Sequence, residues 1–294
     1  MRGEDRRKIA ELVTWYSLEP HLFDVYVEGS TDASIIRWFL SSLGCSSFKV
    51  YEIDGIDVPA ELVSNAHPGE AGHRGRVITL ASELARSLGD SLSYVHCIAD
   101  SDADFVLQMR FDSPYLAYTD YADVEMYLYR DEVIEKFLRL CLRNQTVESE
   151  LLLDQFAVVL KESFLIRTAI RILGLGVPSL SIDRCCATRG ARIAFDSEEY
   201  LRRRLNVRGE SEQVVAVLST VEELRPRLLG DRRRYLNGHD FLELLSWYVR
   251  QVLRQSGPYQ PLQLVRVLST CLEMSYLLEE PLFRSLRASA ARFQ

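Results

Sequence analysis

The sequence predicts an α/β fold in which a mainly parallel sheet is flanked by helices and followed by an all-helical C-terminal region. Short, β-favouring apolar runs alternate with helix-length segments between residues 23 and 119, which is the pattern of βαβ units. From about residue 131, every periodic segment has the length and spacing of a helix. We therefore divide the chain into a sheet domain with an N-terminal helix, residues 1–130, and a helical region, residues 131–294.

The sheet domain is predicted from strand and helix signals taken in chain order. Ser30, Thr31 and Asp32 supply N-cap side chains for one helix, and Gly44 ends it. The segment Asp54–Gly75 contains Asp-Gly and Pro-Gly pairs and is predicted to be a long loop. The predicted elements are a helix over 4–18, a strand over Phe23–Val27, a helix over Ala33–Leu43, a strand over Phe48–Ile53, a helix over Arg76–Leu88, strands over Tyr94–Ala99 and Tyr115–Thr119, and a helix over Val124–Leu142.

The C-terminal region is predicted to be helical because apolar residues recur at helical spacing and turn signals separate the segments. Asp240, with Glu243 three residues later, fits a capping box at a helix start. The predicted helical segments are Val133–Leu142, Leu151–Leu173, Ser197–Leu205, Glu212–Leu228, Asp240–Leu253 and Leu262–Leu278.

Acidic residues gather where the predicted strands end. Asp100, Asp102 and Asp104 follow the strand Tyr94–Ala99 at alternate positions, and Glu28 follows an earlier strand. Ligands of open parallel sheets bind at the carboxyl ends of the strands. Side chains two residues apart point the same way on an extended chain, so Asp100 and Asp102 are expected to converge. Because carboxylate oxygens favour hard cations, we predict a Mg²⁺ or Mn²⁺ site.

Other interpretations of these acids can be compared by spacing. An EF-hand needs a glycine sixth and a glutamate twelfth from the first acid, but Phe105 and Phe111 stand there, which excludes that calcium loop. Solvated acids without an ion, and a phosphotransferase with Asp100 as covalent nucleophile, stay open. His67 and His73 fall in the predicted loop, where they either approach a phosphate or are ordinary loop residues.

Composition narrows the class of protein. The 294 residues are 47% hydrophobic and carry a net charge of −7, which argues against a bulk nucleic-acid coat but leaves room for a local basic groove. Arginine suits phosphate because its planar fork bonds two oxygens, and the predicted nucleic-acid contacts are Arg74, Arg202, Arg203 and Arg233. The chain shows no apolar run long enough to span a membrane, no secretion signal and no C-x-x-C motif. We therefore expect a cytoplasmic protein with reduced thiols.

Two motifs make the chain similar to a known family. The run Val27-Glu28-Gly29-Ser30-Thr31-Asp32 ends the first strand, and Asp100-Ser101-Asp102 follows a later one. This order resembles the Toprim domain, and the variant here is similar to the stand-alone Toprim nucleases of the overcoming-lysogenization-defect (OLD) type, including the effectors of the PARIS anti-phage system. The motifs support the resemblance over residues 20–130, and the helical region agrees in outline.

The resemblance implies a role for each matching acid. It makes Glu28 a metal ligand or general base, and Asp104 a ligand directly or through water. The chain has no clear catalytic lysine near the aspartates, so Arg74, Arg76 or Lys49 would have to replace it. The implied catalytic residues are Glu28, Asp100, Asp102 and Arg76. The implied metal ligands are Glu28, Asp32, Asp100, Asp102, Asp104 and Glu125.

The resemblance also implies an activity and partners. It implies a Mg²⁺- or Mn²⁺-dependent endonuclease that acts as a toxic effector in anti-phage defence. Such an effector would form a homodimer, be held inactive by an ABC-type ATPase partner, and cut host nucleic acid, with tRNA among the candidate substrates. The alternative within the same fold is a Toprim module that binds nucleic acid or a partner and has lost catalysis.

Overall fold

The computed structural model describes residues 6–66, 72–90, 94–190 and 192–293. Within these ranges the strands are β1 (Arg7–Lys8), β2 (Asp24–Val27), β3 (Lys49–Glu52), β4 (Ile56–Asp57), β5 (Val95–Ala99), β6 (Leu116–Tyr118), β7 (Cys186–Arg189) and β8 (Arg192–Phe195). The helices are α1 (Ile9–Leu18), α2 (Ser30–Ser42), α3 (Ala60–Ala66), α4 (Gly72–Leu88), α5 (Asp104–Leu107), α6 (Asp131–Lys136), α7 (Ser149–Ile172), α8 (Ser197–Asn206), α9 (Val214–Leu224), α10 (Gly238–Trp247), α11 (Pro261–Cys271), α12 (Met274–Leu278) and α13 (Pro281–Ala290).

Contacts within the chain define two compact units built from separate stretches. The sheet unit comprises the described residues up to Ser101, together with Met109–Asp120 and the stretch from Glu273 onward. The helical unit comprises Asp102–Gln108 and Tyr121–Leu272. The sequence boundary between residues 130 and 131 stays a prediction, but α12 and α13 belong to the sheet unit although they come last in the chain.

The sheet unit is built on a parallel four-stranded sheet of order β3-β2-β5-β6. All four residues of β2 are buried, as is typical of a central strand covered on both faces. Val27 pairs with Glu52 of β3, and Ala99 of β5 pairs with Tyr118 of β6. The residues that directly follow β2, β3 and β5 therefore come together at one edge of the sheet.

Helices cover both faces of this sheet. On one face, Tyr26 and Cys97 pack in a core with Tyr16 of α1 and Leu84 of α4. On the other face, α13 packs against α2, where the Phe39 and Phe283 rings meet edge to face with centroids 4.8 Å apart. This arrangement confirms the predicted α/β class with a parallel sheet flanked by helices.

The helical unit is centred on the long helix α7, which packs against α9 and α10. A buried carboxylate, that of Asp240 on α10, accepts hydrogen bonds from Ser163 and Arg167 of α7 at 2.6 and 2.8 Å. The predicted helices at Leu151–Leu173 and Ser197–Leu205 are confirmed within one to two residues at each end.

Two predictions about local structure are wrong. The region predicted as a long loop from Asp54 contains a 3₁₀ turn, β4, α3 and the start of α4, because Ile56, Val58 and Val63 are buried in the core. His67, in the same predicted loop, lies outside the described residues. The C-terminal region is not all-helical, since β7 and β8 form an antiparallel pair.

Further corrections concern helix limits. The predicted helix Val124–Leu142 is a 3₁₀ segment over Val124–Leu128, then α6, then a π-helical turn. The predicted helix Leu262–Leu278 is divided into α11 and α12, with an extended backbone at Leu272. The helix predicted to begin at Asp240 begins at Gly238, and its N-cap is the Asn237 side chain, which accepts from the Asp240 amide.

Candidate functional site

The ends of the two neighbouring central strands are tied together by an acid of the predicted site. Glu28, the residue after β2, accepts a hydrogen bond at Oε1 from the backbone N–H of Asp100, the residue after β5, at 2.8 Å. Both residues are half-buried. The structure thus brings together Glu28 and Asp100 as predicted, and the Asp100 amide orients the glutamate.

Arg74 of α4 secures the end of β5 from the other side. Its Nε donates to the Asp100 carbonyl oxygen at 2.8 Å, and its guanidinium carbon lies 5.8 Å from the centroid of the Tyr118 ring. Only 5% of Arg74 is exposed. The buried position favours a role in positioning Asp100, and the predicted contact with nucleic acid stays a prediction.

Arg76 performs a similar function at the end of β3. Its Nη2 donates to the carbonyl oxygens of Ile53 and Ile56 at 2.8 and 2.7 Å, and its Nη1 donates to Asp54 Oδ1 at 2.7 Å. These bonds close the turn between β3 and β4. The Arg76 guanidinium therefore has hydrogen-bond partners within this turn, and its predicted role in catalysis stays a prediction.

Asp32 lies on the first turn of α2, where its carboxylate caps the helix. Its Oδ2 accepts from the backbone N–H of Gly29 at 3.1 Å, in a capping box, which satisfies one of the amides that a helix start leaves open. Asp32 is also buried, with 8% exposure. The cap accounts for this acid, and its predicted role as a metal ligand stays a prediction.

The turn after β5 is held by hydroxyl groups and by a second capping acid. The Ser101 amide donates to Thr119 Oγ1 at 2.9 Å, and the Ser101 hydroxyl donates to the Thr119 carbonyl oxygen at 2.5 Å. Next along the chain, both oxygens of Asp120 accept from the Leu282 amide at the start of α13, at 3.2 Å each. Local sequence could not reveal this cap because 162 positions separate the two residues.

Asp102 and Asp104 belong to the helical unit, and their backbone differs from the sequence expectation. Asp102 has a left-handed backbone with φ of 46°, so the extended geometry from which convergence with Asp100 was predicted is absent. Its amide donates to the Ala122 carbonyl oxygen at 2.7 Å, and its carboxylate lies 3.9 Å from Arg171 of α7. Asp104 is the first residue of α5 and is 2% exposed.

A second acidic group in the helical unit surrounds Asp123. Its Oδ2 accepts from the Gly238 amide at 2.7 Å, whereas Oδ1 accepts no hydrogen bond from the described residues. Burial, and then the neighbouring carboxylate of Glu125, raises the pKa of Asp123 well above its usual range, and Asp102 adds to the effect. Gly238 is required here, because a Cβ would lie 2.3 Å from Asp123 Oδ1.

The predicted phosphate-binding arginines of the C-terminal region are paired with acids. Arg202 and Arg203 form ion pairs with Glu198 and Glu199 one turn earlier on α8, at 3.1 and 2.7 Å. Arg233 pairs with Asp231 at 2.7 Å and stacks 3.8 Å from the Tyr121 ring centroid. A phosphate would have to displace these partners, so binding by these arginines stays a prediction that the ion pairs disfavour.

The predicted ligands are of the kind that binds a hard cation, although the described residues do not form a closed site for one. Among the described residues, no three histidine, cysteine, aspartate or glutamate side chains converge closely enough to hold a metal ion. The predicted ligands offer only carboxylate oxygens, which Mg²⁺ and Mn²⁺ prefer. In the helical unit, a buried carboxylate oxygen of Asp123 has the unmet acceptor capacity that a cation satisfies. The residues fit such an ion chemically.

Sequence reasoning missed Arg171 and Asp54 as parts of the site, and it placed His73 only in a loop. Arg171 lies next to Asp102, and α4 presents His73 beside Asp54, with His73 Nε2 3.3 Å from Asp54 Oδ1. The signal for Asp54 was available, since it follows a predicted strand as Glu28 does. It was assigned to a loop instead, because the Asp54-Gly55 pair is a turn signal.

Comparison with known proteins adds no relative. A scan against protein-family models finds no match, and a search of curated proteins finds none either. Of the helices in the described ranges, none combines the length and the apolar character needed to cross a bilayer.

Proposed function

We propose that this chain is a metal-dependent nuclease with a Toprim-like sheet unit, similar to AriB, the effector of the PARIS anti-phage system. The observation that supports it is the contact between Glu28 and the Asp100 amide. It brings the glutamate of the Val27-Glu28-Gly29 run against the first residue of the Asp100-Ser101-Asp102 run, at the carboxyl edge of a parallel sheet. An acid that only capped a helix or lay on the surface would not require the Val27-Glu28-Gly29 run and the Asp100-Ser101-Asp102 run to meet at the same edge of the sheet.

The chain's own residues would prepare the site for a phosphodiester. Glu28, Asp32 and Asp100 would hold Mg²⁺ or Mn²⁺ in the sheet unit. The other ligands that the resemblance implies, Asp102, Asp104 and Glu125, belong to the helical unit. Such an ion supplies a reactive water and neutralises phosphate charge when bound. Arg74 keeps the end of β5 in place, so that Asp100 has one position relative to Glu28.

The test is cleavage by the purified chain. We expect tRNA or plasmid DNA to be cut with Mg²⁺ or Mn²⁺ and to stay intact with a chelator. Glu28→Gln keeps the shape and the acceptor oxygen for the Asp100 amide but removes the charge, so cleavage should fall by at least about 10²-fold. The matched control is Glu83→Gln, a glutamate of the same unit whose partner is Arg86 on its own helix. Equal cleavage by Glu28→Gln and wild type would contradict the proposal.

A second candidate is a module of the same fold that binds nucleic acid or a partner without catalysis. The use of Asp32 as a helix cap, together with the engaged guanidinium of Arg76, favours it. Calorimetric titration with Mn²⁺ separates the candidates, since a nuclease binds the ion stoichiometrically and loses the binding heat in Glu28→Gln. Trapping a phosphoryl group on Asp100 would instead identify the phosphotransferase.

The proposal extends to the biological setting that the resemblance implies. An ABC-type ATPase similar to AriA would hold the chain inactive, and its release on infection would permit a homodimer to cut host nucleic acid. Expression of the chain alone should be toxic to cells, and Glu28→Gln should remove the toxicity. Co-purification with an ATPase encoded beside it would support the partner.

A further inference from the structure

A histidine and an aspartate of the sheet unit form a pair at the edge that carries Glu28. His73 Nε2 lies 3.3 Å from Asp54 Oδ1, and about half of each side chain is exposed, 50% and 55%. His73 is the second residue of α4, and Asp54 lies in the 3₁₀ turn that follows β3. The pair is thus formed by two different elements and is open to solvent.

The aspartate of this pair is fixed in both position and charge. Arg76 Nη1 donates to Asp54 Oδ1 at 2.7 Å, while Arg76 Nη2 binds the carbonyl oxygens of Ile53 and Ile56 on either side. The Arg76 hydrogen bond lowers the pKa of Asp54, slight burial opposes the shift, and the charges of His73, Arg76 and Arg6 support it. Asp54 therefore keeps a negatively charged carboxylate beside the His73 ring.

Strand register places this pair beside the proposed metal ligands. Val27 pairs with Glu52, so Glu28 and Asp54 follow the ends of adjacent strands, which lie about 4.8 Å apart in a sheet. The start of α4 forms hydrogen bonds with the chain beyond both neighbours of β2. Arg76 binds the turn after β3, and Arg74 binds Asp100 after β5. The first turn of α4, with His73, therefore crosses the edge at which Glu28 lies.

We propose that His73 is the general acid of the nuclease reaction and that Asp54 is its positioning residue. The inference rests on the proposed function, because it assigns a proton donor to that site. Arginine does not fill this role, since its guanidinium keeps its protons at all physiological pH values. Histidine, by contrast, exchanges a proton near neutral pH.

The reaction balances with these groups. A water oxygen forms a bond to phosphorus and gives up its proton to a carboxylate of the site. The bond from phosphorus to the leaving oxygen breaks, and that oxygen takes the bonding electron pair and a proton from the imidazolium of His73. With Nε2 directed to Asp54, the transferred proton is carried on Nδ1. The ring is left neutral and regains a proton from solvent.

The deciding experiment compares two phosphodiesters that differ in the leaving group. The nucleic acid releases an alkoxide that needs a proton, whereas bis(p-nitrophenyl) phosphate releases a nitrophenolate that does not. His73→Gln should slow cleavage of the nucleic acid by about 10²-fold or more and leave hydrolysis of the nitrophenyl ester within a few-fold of wild type. His21→Gln, an exposed histidine of the same unit, is the control and should behave as wild type.

The pH profile gives a second readout that a merely structural role would not change. A general acid acts only in its protonated form, so wild-type cleavage of nucleic acid should decline on the alkaline side, and this limb should be absent in His73→Gln. Asp54→Asn removes the carboxylate that lies 3.3 Å from Nε2, so it should slow cleavage of the nucleic acid more than hydrolysis of the nitrophenyl ester. Among the described residues, the charged group shown beside the ring is Asp54, and Arg76 and Arg6 act on that aspartate.

The outcomes separate this inference from the function on which it rests. If His73→Gln impairs both esters equally, impairs neither, or retains the alkaline limb, His73 is not the acid, although the nuclease stands. If wild type cleaves no nucleic acid with either metal, the nuclease proposal fails and takes this inference with it. Thermal melting of each variant, monitored by circular dichroism, shows that a lost activity is not lost folding.

Discussion

The sheet unit and the helical unit stabilise their acids in different ways. In the sheet unit, backbone amides hold acids at strand ends and helix starts, as Asp100 does for Glu28 and Leu282 for Asp120, although arginines pair with Asp54 and Glu83. In the helical unit, arginines form most of the partners, as in the pairs Asp240–Arg167, Glu162–Arg225 and Asp154–Arg232.

The difference has a chemical consequence. A backbone amide orients a carboxylate without placing a positive charge beside it, whereas an arginine adds one. Both kinds of partner leave the carboxylate ionised. We place the start of the candidate metal site at Glu28 and Asp100 because these two residues meet at the carboxyl edge of the parallel sheet. Backbone amides also hold acids of the helical unit, since Gly238 donates to Asp123 and Ile182 donates to Glu243.

The largest expected effect comes from removing an arginine-paired acid. Asp240→Ala leaves Arg167 and the Ser163 hydroxyl without the carboxylate that both contact, inside a packed unit. Loss of one partner of a buried ion pair costs about 3–5 kcal/mol of the free energy of unfolding, measurable by urea denaturation. The double variant Arg167→Met with Asp240→Leu should recover much of that loss, and no recovery would show that the charge pair is not the cause.

The next effect is a loss of stability at low pH that we assign to His96, a half-buried residue of the sheet unit. Burial lowers the pKa of His96 to about 4, and its Nε2 lies 3.0 Å from the Ser289 hydroxyl of α13. The unfolded chain binds this proton at about pH 6.5 and below, but the folded chain does not until about pH 4, so stability falls as the pH drops through this window. At pH 5 the cost is about 2 kcal/mol.

The comparison for this prediction is the melting temperature of wild type and His96→Phe at pH 7 and pH 5. Phenylalanine matches the ring and keeps the edge contact with Phe23, whose centroid is 5.9 Å away. The variant should lose less stability than wild type between the two pH values. An equal loss in both proteins would assign the pH dependence to other groups.

A smaller effect is expected for an amide-held acid. Asp120→Ala removes the acceptor for the Leu282 amide at the start of α13, and losing such a cap costs about 1 kcal/mol. Asp120→Asn keeps an acceptor oxygen and should cost less. If both substitutions leave the free energy of unfolding unchanged, the cap does not contribute to stability, and the contrast between the two units is weaker than we describe.

The smallest effect is expected for the exposed pairs of α8. Arg202→Ala breaks the pair with Glu198 one turn away, which is worth about 0.3–0.5 kcal/mol and decreases with added salt. Nucleic-acid binding by this variant, measured by electrophoretic mobility shift, should also be close to wild type if Glu198 occupies the guanidinium. A large loss of binding would instead confirm the sequence prediction that Arg202 contacts phosphate.

Local patterns were reliable where one element decides the structure. The apolar runs before Glu28 and Asp100 predicted β2 and β5 correctly, because a central strand buried on both faces reads as a continuous apolar run. They failed over Asp54–Gly75, where Ile56 and Val63 are too few and too scattered to show a period, although the core buries both. The local patterns also did not predict the β7–β8 hairpin, whose two strands are only four residues long.

The sequence by itself determined the α/β class, the strands that carry Glu28 and Asp100, and the meeting of these two residues at one edge, since strand direction follows from the alternation of strands and helices. Only the tertiary structure decided which partner each acid has. Asp120 caps a helix far along the chain, Arg76 engages Asp54, and His73 meets that same aspartate. Such partners depend on contacts between residues distant in sequence, which periodicity and local propensity do not encode.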